Sequence, residues 1–129
     1  MDPFNQITGR WPDAARARFD ALRAIILAAA RDAGVGPLTE SLKWGQPAWR
    51  PARPRTGSTL RLNWSSEAPD RLCVFVDCKT DLAQRMRDLY PDIAGDGRRV
   101  LHLGLDAAAD TDAIAHLAAM TFTYHRQSR

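Results

Sequence analysis

Nothing in the 129 residues approaches the roughly 18 consecutive apolar side chains that a membrane-spanning helix needs. The longest such block, residues 24–30, sits inside an amphipathic pattern. The opening Met-Asp-Pro-Phe-Asn-Gln lacks the basic stretch and apolar run of a secretory signal, so a soluble, cytoplasmic protein is expected. Cysteine is scarce. Cys73 and Cys78 stand five apart in one strand-like segment, which is neither a Cys-x-x-Cys redox pair nor half of a zinc ribbon. An odd separation sends their side chains to opposite faces of a strand, which argues against a mutual disulfide. Cys73 reads as a small packed hydrophobe. Cys78, beside Lys79 and just before a helix, is where a thiolate would be favoured. Catalytic signatures are missing too: there is no Gly-x-Ser-x-Gly elbow, Walker-type loop, Gly-x-Gly-x-x-Gly or His-x-x-x-His. Lysine occurs twice against sixteen arginines, a composition bias that is not by itself a nucleic-acid signature.

A chain of this length that is 45% apolar and 26% charged fits one domain with a real core. The net charge of +3 is unevenly spread. Residues 43–71 hold Lys43, Arg50, Arg53, Arg55, Arg61 and Arg71 against Glu67 and Asp70, a surplus larger than that of the whole chain. Residues 72–97 are mildly acidic through Asp77, Asp81, Asp88, Asp92 and Asp96.

Residues 1–10 are expected as a flexible leader, and residues 11–129 as the domain. Pro12 and Asp13 start a helix whose apolar face is Phe19, Leu22, Ile26, Ala29 and Ala33, closed by Gly34 and Gly36. Strands are expected at 38–44, with Glu40 spoiling the alternation, and at 58–64, 71–77 and 98–103. Residues 49–57, with Pro51, Pro54 and Gly57, read as a loop. A helix capped by Thr80 or Asp81 runs to Tyr90, and a last one starts at Asp110 or Thr111. The expected architecture is α+β, a four-stranded antiparallel sheet with helices on one face, in the order α-β-β-β-α-β-α. Leu42, Trp44, Leu60, Leu62, Val74 and Val76 should be buried beneath Phe19, Leu22, Ile26, Leu82, Ile114 and Leu117.

The densest feature is the run Ser-Leu-Lys-Trp-Gly-Gln-Pro-Ala-Trp at 41–49, where Gly and Pro restrict the backbone around two tryptophans. Structurally, Trp44 and Trp64 fall on inward strand faces, while Gly45 and Pro47 turn the chain. Functionally, Lys43, Gln46 and Trp49 can line a shallow pocket that grips an anionic or polar ligand against an aromatic wall. Arg50, Arg53 and Arg55 beside it can recruit phosphate or an acidic partner. For metal, Asp77 and Asp81 are weak candidates. Asp81 and Asp88 are too far apart to chelate one ion, and His116 and His125 fall on opposite helical faces.

The Leu-Lys-Trp-Gly-Gln-Pro-Ala-Trp run at 42–49, the Ser-Thr-Leu-Arg-Leu strand from Ser58, and Val-Phe-Val-Asp-Cys-Lys-Thr from Val74 resemble the bacterial YdhG-like domains, a family of unknown function. Leu-Tyr-Pro from Leu89 and Thr-Tyr-His-Arg from Thr123 fit it as well. The resemblance implies a compact α+β domain with helices on one side of an antiparallel sheet. Some relatives have been likened to frataxin-type intracellular iron chaperones, which use a dense acidic ridge on the first helix. This chain departs from that pattern, with Arg16, Arg18, Arg23 and Arg31 among Asp13, Asp20 and Asp32. The leading expectation is a non-enzymatic binding domain, without cofactor or membrane partner, monomeric or homodimeric. It takes a small polar or anionic ligand, or a protein partner, at the corner of Lys43, Trp44, Gly45, Gln46, Pro47 and Trp49. A frataxin-like iron chaperone and an enzyme using Cys78 are the alternatives.

Overall fold

A computed structural model of the chain describes residues 2–106 and 110–126; the end of the expected domain, 127–129, lies outside them. The elements run α1 (Asn5–Thr8), α2 (Asp13–Ala33), β1 (Leu38–Lys43), β2 (Gln46–Pro51), β3 (Leu60–Trp64), β4 (Arg71–Val76), α3 (Leu82–Leu89), β5 (Ala94–Gly95), β6 (Val100–Gly104) and α4 (Thr111–Phe122). The fold is α+β and the sheet is antiparallel, as expected, but among the described residues it has six strands rather than four, ordered β1-β2-β3-β4-β6-β5, and the chain order is α-α-β-β-β-β-α-β-β-α rather than α-β-β-β-α-β-α. Among the described residues no helix is long and apolar enough to cross a membrane.

The two added strands are β2 and the two-residue β5. Pro47 and Pro51 conceal β2 in the sequence, because proline cannot donate to a sheet ladder. Register resolves the conflict: Leu42 faces Pro47 and Leu38 faces Pro51 across β1. Counting from the two-residue turn, these are non-hydrogen-bonded pairs, so the missing N–H groups point away from β1. They point toward β3, and there the ladder is only two pairs long, Ala48 with Arg61 and Trp49 with Leu60.

Trp44 and Gly45 form the turn between β1 and β2, with φ of 57° and 73°. Two positive-φ residues in a two-residue loop make a type I′ turn, whose twist matches the flanking strands. The chain therefore reverses one residue earlier than a strand running to 44 implies, which corrects two expectations. Trp44 is 81% exposed at the hairpin tip, and Leu42 is 43% exposed. Trp49, expected as an exposed aromatic wall, is fully buried. Its ring stacks on Phe19 at 5.9 Å and meets Phe4 edge-on at 5.3 Å.

Glu40 breaks the apolar alternation of β1 because it has partners. It accepts two bonds from the Arg23 guanidinium and one from Trp49 Nε1, each 2.8 Å. Those bonds, the Arg23 ones first, hold its carboxyl below the usual range. Arg23 also pairs with Asp2 at 2.7 Å and lies 4.8 Å over the Phe4 ring. Residues expected as a loose leader thus carry α1 and insert Phe4, fully buried, between Phe19 and Trp49.

Leu60, Leu62, Leu72, Val74, Val76, Leu101 and Leu103 share one face of the sheet and are buried with Phe19, Leu22 and Ile26 of α2, Leu82 and Met86 of α3, and Ile114 and Leu117 of α4. The alternation of β3 predicts this for Leu60 and Leu62, whereas β4 is apolar on both faces in the sequence and is fully buried on this one alone. Leu89, at the end of α3, is 53% exposed. Asp81 makes no cap bond; it pairs with Arg85 at 3.0 Å. Residues on the opposite sheet face, among them Arg61, Asn63, Cys73, Phe75, Val100 and His102, are only half-buried. That open face positions the candidate site.

Candidate functional site

At one end of the open face, the β1–β2 tip, the start of β3, the end of β4 and the approach to β6 enclose a cleft of about 230 Å³. Lys43, Trp44, Thr59, Arg61, Asp77, Cys78 and Arg99 line it, with Val76 buried beneath. Lys43 faces Gln46 across the hairpin, and Gln46 Oε1 accepts a 2.8 Å bond from the Arg61 guanidinium. Arg61 also lies 5.0 Å over the ring of Phe75, its partner on β4. Arg99 is brought alongside by the 2.8 Å bond from Val76 N–H to its carbonyl.

Three cations and one carboxylate, that of Asp77, thus line the cleft, and Asp96 acts on Arg99 from outside it. None of Lys43, Arg61 and Arg99 is ion-paired among the described residues. Burial, then repulsion from Arg99, pulls the Arg61 guanidinium below its ordinary range, and Asp77 opposes this only in part. A cation held near its like with little counter-charge is stabilised by any anion that enters. Arginine adds geometry, since its planar fork of donors matches carboxylate and phosphate oxygens. Trp44 forms one wall, at a φ that costs a bulky side chain roughly 1–2 kcal/mol. Strain at an exposed aromatic beside a cationic cleft is an observation from which function can be argued.

The residues singled out in the sequence separate into three groups. Lys43, Gln46 and Arg50 share the open face, with Trp44 and Gly45 at the tip. Pro47 and Trp49 are buried in β2, toward the helices. Arg53 and Arg55 lie beyond the far end of β2, a strand length of roughly 20 Å from the tip. Sequence reasoning missed Thr59, Arg61 and Arg99 as site residues. The outward alternation of Arg61 on β3 was legible, but its neighbours Arg99 and Gln46 come from distant segments that only the strand pairing unites.

Asp77 lies in the cleft, where its Oδ1 accepts the Lys79 N–H at 2.9 Å, and Asp81, just before α3, pairs with Arg85. Among the described residues no three His, Cys, Asp or Glu side chains gather as a metal would require. Cys78 is exposed at the cleft, which Lys43, Asp77 and Arg99 also line. The thiol that does meet a base is Cys73, whose Sγ lies 3.5 Å from Nδ1 of its cross-strand partner His102. Burial pushes the Cys73 thiol up, and burial with the Arg71 charge pushes the imidazole down. Both groups are therefore held neutral, the opposite of a thiolate–imidazolium nucleophile. No protein-family model, curated protein or solved structure matches the chain.

Proposed function

We propose that this chain is a YdhG-like, non-enzymatic binding domain that takes a small anionic ligand in the cleft at the β1–β2 tip. The observation that carries the reading is the half-buried Arg61, set beside Arg99 and across from Lys43 with Asp77 as the one carboxylate. Carboxylate or phosphate oxygens would take the donors of Arg61, Arg99 and Lys43, while Trp44 and Thr59 would contact the body of the ligand. The cleft is already shaped by Gln46 and Phe75 holding Arg61, so little ordering entropy opposes binding.

A thermal-shift screen of anionic metabolites tests this, since a ligand bound to the native state raises the apparent stability. A hit should raise the melting temperature of the wild-type chain. Arg61→Ala and Lys43→Ala should each weaken it by about 1–3 kcal/mol, and salt should weaken it further. A hit unaffected by both substitutions would remove the cleft as the site.

A further inference from the structure

We infer that the loop between β2 and β3 builds a second anion site, distinct from the tip cleft, that takes a compact oxyanion of the phosphate type. Arg53, Arg55 and Arg126 line a polar pocket of about 260 Å³ together with Gly34, Val35 and Thr56. Among the described residues no carboxylate lines it and none of the three guanidinium groups is ion-paired. The negative feature at hand is the C-terminal end of α2, closed by Gly34. A helix terminus carries about half an elementary charge, so three cations exceed what it can offset.

The pocket is built on pinned backbone rather than on a free loop. Ala52 N–H donates to the Pro37 carbonyl at 2.9 Å, Ser58 N–H to the Thr121 carbonyl at 2.8 Å, and His125 N–H to the Thr56 carbonyl at 3.2 Å. Gly57 packs on the end of α4 so closely that a Cβ there would come within 2.1 Å of the Phe122 carbonyl oxygen. Arg55 is held at a φ of 57°, a conformation unfavourable for a long side chain. Gly36, at φ 80°, leaves the space where the Arg53 guanidinium rests; a Cβ would meet its Cζ at 2.9 Å. Three forked donors on a backbone tied to α4 and to the residues after α2 suit a multivalent tetrahedral anion, which accepts several charge-assisted bonds at once.

Pyrophosphate, titrated into the ¹⁵N-labelled chain at low ionic strength with sodium chloride as a charge-screening control, tests the site. The amides of Gly34, Thr56 and Arg126 should shift saturably with pyrophosphate and not with matched chloride. Arg53→Gln and Arg126→Gln should each weaken that response at least tenfold, whereas Arg61→Gln should leave it unchanged. Spectral dispersion identical to wild type would establish that each variant is folded. Shifts confined to the tip cleft, or a response at Gly34 and Thr56 that survives both substitutions, would overturn the second site while leaving the first standing.

Discussion

Trp44 and Trp49, five residues apart in one hairpin, should respond to substitution in opposite ways. Trp49 is fully buried against Phe4 and Phe19, and its indole N–H is bonded to Glu40. Trp49→Ala should therefore cost about 3–5 kcal/mol, the range for deleting a core aromatic. Trp44 is 81% exposed, so of a side chain that can bury at most about 250 Å², roughly 50 Å² is covered. At 25 cal/mol/Å² that is about 1 kcal/mol of contact. Against it stands the roughly 1–2 kcal/mol of left-handed backbone strain that asparagine, a favoured type I′ residue, tolerates far better. Trp44→Asn should thus leave stability unchanged or raise it by up to about 1 kcal/mol, the difference between these two effects. Urea unfolding of both variants, with the midpoint compared at a common slope, measures this. A loss above about 1.5 kcal/mol in Trp44→Asn would mean that the tip tryptophan is architecture, refuting the balance of strain against contact used here.

Phe4→Ala should cost about 3–5 kcal/mol in the same assay, because the ring is fully buried between Phe19 and Trp49; a cost below 1 kcal/mol would show that the amino-terminal segment does not dock. Asp96 accepts backbone bonds from Arg98, Arg99 and Val100, and those bonds pull its pKa down to about 2. A depressed carboxylate stabilises the fold above its unfolded value near 3.9, and that contribution is lost as pH falls toward 2. Asp96→Ala should accordingly be less stable than wild type at pH 6, with the gap narrowing between pH 4 and pH 2.5. A gap independent of pH would contradict the assignment.

Much of the fold was legible because single elements carry their own periodicity. Phe19, Leu22 and Ile26 mark the buried face of α2, and Leu60 and Leu62 the inward face of β3, while β4, apolar on both sides in the sequence, shows its inward side only once it is paired. What was not legible depends on pairing. The prolines of β2 read as a loop until their register against β1 is known, and that register also decides which tryptophan is inside. Phe4 stands in a short polar stretch with no periodicity to announce its burial, and Asp2, which accepts the Phe4 N–H, also pairs with Arg23, twenty-one residues away. The site followed the same rule. Lys43 and Trp44 were visible as an unusual cluster, whereas Arg61 and Arg99 join them only because β3, β4 and β6 are adjacent in the sheet.

The most direct test of the cationic cleft needs no ligand. Trp44 is the exposed tryptophan; Trp11 and Trp49 are buried and Trp64 is half-buried. Collisional quenching of indole fluorescence therefore reports on the surroundings of Trp44. With Lys43, Arg61 and Arg99 beside it, iodide should quench far more effectively than caesium, and the preference should fade with added salt. Replacing Arg61 and Arg99 together by glutamine should abolish most of the difference, while Arg53 and Arg126 replaced together, with the same change in net charge, should not. Equal quenching by the two ions in the wild-type chain, or the same loss in both double variants, would contradict a local cationic cleft at the hairpin tip.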